Sequence, residues 1–298
     1  MSQVALTTRG KKKAFRRPQG GKQKKASIPW GSPSVYLIAT VLIAICIMPV
    51  LYIILGGFRS NSQITTDPSG LPNPWVFSNY TEVLTAGTFW TQFGNSMISA
   101  ILTTVGCVAL ALAASYVIAR YEFRGRNAMF SLFAAGLMFP LTVAITPLYI
   151  LIRTLGLTNS LAGIILPQIA FALPMTVIIL VPFLRAIPKE IEEAAAIDGS
   201  GRVGFFFRMV LPLSMPGVMT TGILAFIGAW NNYMLPLFIL SDPNKYTLPL
   251  GVQAFASQHS VDTAAVLAFT SLSMLPALLF FSIFERRIVG GLTGAVKG

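Results

Sequence analysis

Four of the ten acidic residues in this 298-residue chain, Glu190, Glu192, Glu193 and Asp198, fall in one polar stretch, 185–212, which reads RAIPKEIEEAAAIDGSGRVGFFFRMVLP. Grouped carboxylates can move protons, hold a metal or meet a cationic partner, and the surrounding residues decide which. The one histidine, His259, lies far along the sequence, and Cys46 and Cys107 each sit inside an apolar run. No Ser/His/Asp or paired-carboxylate arrangement can be assembled within such a run, so neither catalysis nor a metal site is indicated. Gly199-Ser200-Gly201-Arg202-Val203-Gly204 spells G-x-G-x-x-G. A helix rather than a strand precedes it, which removes the dinucleotide context, and the glycine-rich 290–298 lacks the spacing of a phosphate loop. No cofactor is expected on this chain.

The local grammar of the stretch is that of two short helices meeting at a bend. Pro188 suits a first helical turn, where its missing N–H costs nothing, and Glu190, Glu192 and Glu193 complement the positive end of the helix dipole. Ile187, Ile191, Ala194 and Ala195 fall on one stripe. Gly199 can take the left-handed conformation of a C-terminal cap, and Ser200 is placed to cap the next helix. In that second helix Val203, Phe206, Phe207 and Val210 share a face flanked by Arg202 and Arg208, which suits a membrane surface until Pro212 ends it. An ordinary connecting loop has the same local signals.

The rest of the chain is built to hold that stretch between membrane spans. It is 54% hydrophobic and 11% charged with a mean hydropathy of +0.69, too apolar for a soluble domain. Six runs are long enough to cross a bilayer: about 35–57, 93–119, 128–152, 162–184, 213–240 and 264–284, none containing Asp, Glu, Lys or Arg. The fold expected is all-α and polytopic, with a basic tail over 1–33 and a six-helix membrane domain over 34–298. Basic residues in alternate connections divide 19 against 3, which puts both termini and 185–212 on the cytoplasmic side. The net charge of +12 comes largely from nine basic residues in the first 25 positions. A span follows them directly, so they read as an orientation signal rather than a nucleic-acid surface. Prolines recur inside the runs, at Pro140, Pro147, Pro167, Pro174, Pro182, Pro216, Pro236 and others, and kinked helices can line a cavity.

Glu193-Ala194-Ala195, three residues, Gly199, nine residues, Met209, one residue, Leu211-Pro212 resembles the Glu-Ala-Ala loop of the membrane subunits of binding-protein-dependent ABC importers. Met209 replaces the usual Ile with similar bulk. The ending, from Glu285-Arg286-Arg287 through Gly294-Ala295-Val296-Lys297-Gly298, resembles that of maltose-type sugar permeases. Ser78-Asn79-Tyr80 is similar to a segment before their second span and fits either an interfacial helix that meets an external partner or an ordered loop.

The resemblance implies half of a pore in a bacterial inner membrane, taking up a sugar or oligosaccharide. The partners implied are a second homologous permease, an ATPase dimer carrying ATP and Mg, and an external solute-binding protein. Glu190, Glu193, Ala194, Ala195, Asp198, Gly199, Leu211 and Pro212 would couple to the ATPase, and Gly294, Lys297 and Gly298 would approach it. The family tends to read Trp-Asn-Glu-Phe where this chain has Trp230, Asn231, Asn232 and Tyr233. These four are candidates for a sugar path, since aromatic faces stack on sugar rings and amides bond hydroxyls, or for hydrogen bonds between helices. Asn95, Gln168 and Thr220 are further candidates. The rival is an ion-coupled transporter or channel, which ordinarily needs ionisable groups at membrane depth.

Overall fold

The structure, a computed structural model, describes residues 33–259 and 262–296, with side chains up to Phe284. The basic residues of the tail, Lys297 and Gly298 lie outside the described residues, and Gly294 is described only as backbone. Numbered in chain order, the helices are α1 (Pro33–Gly56), α2 (Asn61–Thr66), α3 (Ser78–Thr85), α4 (Gly87–Arg120), α5 (Arg126–Gly136), α6 (Leu141–Thr154) and α7 (Leu161–Arg185). Then come α8 (Lys189–Ile197), α9 (Arg202–Phe205), a π turn at Phe206–Val210, α10 (Leu211–Leu213), α11 (Met215–Trp230), α12 (Met234–Ile239), α13 (Leu248–Gln258) and α14 (Thr263–Val296). No strand occurs among the described residues. The chain divides into two units, 1–47 and 48–298. In the first, the described residues 33–47 of α1 are exposed throughout and, apart from a few small or polar positions, apolar, as suits lipid contact.

Four helices alone are long and apolar enough to cross a membrane: Pro33–Gly56, Gly87–Arg120, Leu161–Arg185 and Thr263–Phe284. Two bent pairs bring the total to six. The run expected to form one helix over 128–152 is α5 and α6, turned by 99°. Pro140 has no N–H and crowds the preceding residue out of the helical region, so the helix stops and Pro140 becomes the N-cap of α6. The run expected over 213–240 is broken as well: the α9–α10 stretch meets α11 at 74°, and α11 stops at Trp230 before α12 begins. Two other expectations move outward. α4 starts six residues early, at Gly87, and α14 continues beyond Phe284. By contrast α7 runs unbroken through Pro167, Pro174 and Pro182, started by the Ser160 hydroxyl accepting from Gly163 N at 3.1 Å.

Three buried clusters hold the second unit together. One joins α4 (Ala111, Leu112, Ile118) to α7 (Val177, Leu180, Val181, Leu184) and takes in Ile187, Ala195, Phe205 and Val210. A second packs Phe89 and Ala100 of α4 with Phe226 and Trp230 of α11 and Phe269 of α14. The third joins Ile152, Ile164, Leu235 and Ile239.

The Ser78-Asn79-Tyr80 segment opens α3 and ties the end of α1 down. Asn79 Nδ2 donates to the carbonyls of Gly57 and Arg59, both at 2.9 Å, and the Tyr80 hydroxyl donates to Ile54 O at 2.7 Å while accepting from Ser271 Oγ at 2.8 Å. Burial pushes the Tyr80 phenol above its ordinary pKa, against the opposite pull of the Ser271 hydrogen bond, so it stays a neutral donor. Arg59, itself buried, closes α2 by donating to the carbonyls of Gln63, Asp67 and Pro68. Asn79→Ala leaves two carbonyls short of a partner, an expected loss of about 1–2 kcal/mol. A thermal melt of the detergent-solubilised protein should fall by roughly 3–6 °C; a melt matching the wild type would mean that water replaces the amide at no cost.

Candidate functional site

The acidic stretch folds as a hook laid against the ends of α4 and α7. α8 carries Glu190 and Glu192 in its first turn, after Pro188. Its end is a Schellman motif: Gly199 N donates to Ala196 O at 3.1 Å and Ser200 N to Ala195 O at 2.9 Å, with Gly199 at φ +75°. That geometry is the one glycine adopts without strain. Ser200 is thereby used to finish α8. The cap expected from it for the next helix is absent, and Gly201 stands at the N-cap without a side-chain bond.

Burial corrects two further expectations. Ile187 and Ala195 are buried and Ile191 packs beside them, but Ala194 is exposed, off the stripe. In the second half the five residues of the π turn place Phe205 and Val210 on the inward side, where they are buried, while Val203 and Phe207 are exposed. The shared face expected of Val203, Phe206, Phe207 and Val210 is split because a π turn holds one residue more than an α turn. Pro212 does not end this helix: it sits at the start of α10, and the break follows at Ser214.

The hook is fastened by a pair that the sequence pattern does not single out. Arg120, the last residue of α4, donates through Nη2 and Nε to Glu192 Oε2 at 2.6 and 3.1 Å and through Nη1 to Ile187 O at 2.7 Å. Arg120 is almost fully buried and Glu192 is 39% exposed. Nearby, Phe206 meets the Tyr116 ring edge-on at 5.0 Å and the Arg202 guanidinium lies over the Tyr121 ring at 5.4 Å. Glu190, Glu193, Asp198 and Gly199 face outward with Ile197, Phe207 and Met209, an acidic rim on an apolar surface. Leu211 is half-buried beneath it, and Pro212 is exposed.

A cavity of about 260 Å³ lies between α4, α7 and α11, lined among others by Thr103, Gln168, Phe171, Thr176, Gly228 and Asn232. Gln168 is 4% exposed. Its Oε1 accepts from Thr103 Oγ1 at 2.9 Å and Ser99 Oγ at 3.3 Å, and its Nε2 has no partner. Asn232 Oδ1 accepts from Leu235 N, in the first turn of α12, at 3.1 Å.

Of the four residues expected along a substrate path, only Asn232 lines this cavity. Trp230 is 2% exposed and packs its ring against Phe93 and Phe226 at 5.9 and 6.0 Å, so the aromatic face expected to meet a sugar is spent on the core. Asn231 is exposed, and Tyr233 packs against the third cluster and hydrogen-bonds Gln253. Asn95 holds the carbonyls of Asn244 and Tyr246, and Thr220 bonds back to Pro216 O within α11. Gln168 is the one further candidate that the cavity takes up.

Apolar helices, straight and bent, around a cavity with a few polar groups in its wall, with an amphipathic hook at their ends, define a multi-pass membrane transport protein. Residues 108–290 match the family described as binding-protein-dependent transport system inner membrane component, and the chain belongs to that family. It is 36% identical to a diacetylchitobiose uptake system permease protein of Streptomyces coelicolor, over 84% of this chain and 83% of that one. To a sulfoquinovosyl glycerol transport system permease protein of Agrobacterium fabrum it is 33% identical, over 90% and 95%. Its fold is similar to a chain in the crystal structure of a bacterial ABC transporter involved in the import of the acidic polysaccharide alginate, with a TM-score of 0.75, 21% identity, and 87% of this chain and 99% of that one covered.

The Arg120–Glu192 pair yields an asymmetric expectation. Glu192→Gln takes the counter-charge from a buried guanidinium and leaves it only neutral acceptors, and costs about 1–2 kcal/mol once the solvent exposure of the carboxylate is discounted. In a double-mutant cycle with Arg120→Met, read by thermal melts, the double variant loses less than the sum of the two singles. Strict additivity would show that the pair does not hold the hook.

Proposed function

We propose that this chain is one permease half of an ATP-driven importer for a sugar or oligosaccharide, seated in a bacterial inner membrane with both termini in the cytoplasm. A second, homologous permease supplies the other half of the pore, and an external solute-binding protein delivers the substrate. The hook supports the reading most directly. Its inner face is anchored to the ends of α4 and α7, while its outer face presents Glu190, Glu193 and Asp198 around exposed Ile197 and Phe207. An exposed apolar patch with a charged rim suits a protein partner.

That partner is an ATPase subunit, which carries ATP and Mg; this chain binds neither. Ala194, exposed beside Glu193, belongs to the docking face, whereas Ala195 is the buried seat on which the hook rests. Gly199 fixes the angle between the two halves of the hook, and Leu211 and Pro212 carry the chain from the hook into α11. Gly294, Lys297 and Gly298 approach the same ATPase. The carbohydrate class is carried over from relatives whose names include diacetylchitobiose uptake and trehalose transport, at 36% and 35% identity.

A mild-detergent pull-down with mass spectrometry should recover an ATPase, a second permease and a binding protein with this chain. Glu193→Lys reverses a charge on the outer face, and Gly199→Pro cannot take φ +75°. Both should leave the subunit inserted and assembled but lower uptake per ATP hydrolysed by tenfold or more in proteoliposomes. Wild-type coupling in both variants would remove the hook from the mechanism.

A further inference from the structure

We infer that the cavity between α4, α7 and α11 receives one ring of the transported molecule, and that the ring is neutral and hydroxylated. This rests on the permease reading and adds a binding site within this subunit. Gln168 is the strongest mark. Thr103 and Ser99 fix its carbonyl end, which leaves a buried amide nitrogen with two hydrogens and no acceptor in the protein. Buried polar groups are ordinarily paired, and an orphan at a cavity wall points to an acceptor supplied from outside the chain. Asn232, at the same wall, has its oxygen occupied by Leu235 N and its NH2 free.

Apart from Thr103 and Thr176, whose hydroxyls bond to Gln168 Oε1 and Ala172 O, the remaining lining is apolar, including Phe171 and Met175, and contains no Asp, Glu, Lys, Arg or His. Amide donors beside an aromatic wall match a sugar ring, whose hydroxyl oxygens accept and whose C–H face packs on apolar surface. A carboxylate, sulfonate or ammonium on that ring would be buried without a counter-charge from this subunit. The volume of about 260 Å³ is below the ~300–1,000 Å³ that encloses a drug-sized ligand, so it suits one ring and not a whole oligosaccharide. Its depth is right for a transport path, since Thr103 is the seventeenth residue of the 34 in α4, and Gln168 and Thr176 lie either side of the middle of α7.

Gly228 supplies the means of testing this. It lines the cavity from α11, and a Cβ built on it meets no atom within 4 Å. A methyl group there meets nothing already packed, and any residue but proline improves the helix over glycine. The series Gly228→Ala, Gly228→Val and Gly228→Leu therefore fills the site in steps. Gln168→Met removes the amide at nearly constant volume.

The test uses the whole complex that copurifies with this chain, reconstituted in proteoliposomes. Uptake of labelled diacetylchitobiose, trehalose and maltose is measured beside a uronic acid disaccharide as the acidic comparator. At least one neutral sugar should enter in an ATP-dependent way, at a rate that falls with side-chain size at 228 to one-tenth of the wild-type rate or less for Leu. Gln168→Met should raise the KM for uptake at least fivefold, with all variants pulling down the same subunits as the wild type. Wild-type rates in Gly228→Leu, or an unchanged KM in Gln168→Met, would overturn the cavity as a sugar site while leaving the permease reading intact. Import of the acidic comparator alone would overturn the neutral class. A wild-type complex that moves none of these sugars and hydrolyses no ATP would fail the permease reading itself, and the site with it.

Discussion

The hydrocarbon core of a membrane contains no water to hydrogen-bond a stray N–H or C=O, so every interruption of a spanning helix must be repaired from within the protein. The architecture of this chain follows from where it makes such repairs. At the α5–α6 break, Leu137, Met138 and Phe139 bond back three residues, to Ala134, Ala135 and Gly136, and Pro140 O accepts from Val143 and Ala144. At the α11–α12 break, Asn231 N reaches Ile227 O, Asn232 N reaches Ala229 O, and the Asn232 side chain accepts from Leu235. The two repaired breaks converge. Leu141, the first residue after one, and Asn232 and Leu235, in and after the other, line the same cavity. Irregular backbone at depth is stable where it is buried in protein or borders a cavity, and here it does both.

The hook obeys a different constraint. Its acidic rim stays exposed while its inner apolar face is buried against the ends of α4 and α7. Ala195 permits that burial through its small size, because only a short side chain lets α8 approach the packed ends of α4 and α7, and the Schellman closure at Gly199 then satisfies the last carbonyls of α8. Arg120 adds the only ion pair found among the described residues. It joins the end of one spanning helix to the first turn of the hook, so the two move as neighbours.

Much of this was legible in the residues. Apolar runs located the spans, and Pro188, the glutamates and Gly199 gave α8 and its stop, because those signals depend on local backbone chemistry. Two of the spans were nonetheless read as continuous. Hydropathy averages over a run, and residue type does not separate Pro140, at which a new helix starts, from Pro167 and Pro174, which lie inside one. By type Trp230 suits either a path or a contact between helices, and which face of α11 it occupies depends on contacts such as that with Phe93, distant in sequence. Glu192 could not be told from Glu190 and Glu193 until the position of Arg120 was known. The π turn has no sequence signature, and it alone decides which phenylalanines face inward.

From Arg202 to Trp230 the backbone is helical on both sides of one non-helical residue, Ser214, with a 74° angle between the arms. Such a piece is a bell crank. Its short arm is the second half of the hook, and its long arm carries Gly228 at the cavity wall, thirteen residues beyond Met215 and therefore about 20 Å along the axis at 1.5 Å per residue. At that radius a tilt of about 5° around Ser214 displaces the wall by roughly 1.7 Å, more than the radius of a water molecule. The leverage is set by the lengths of the two arms alone.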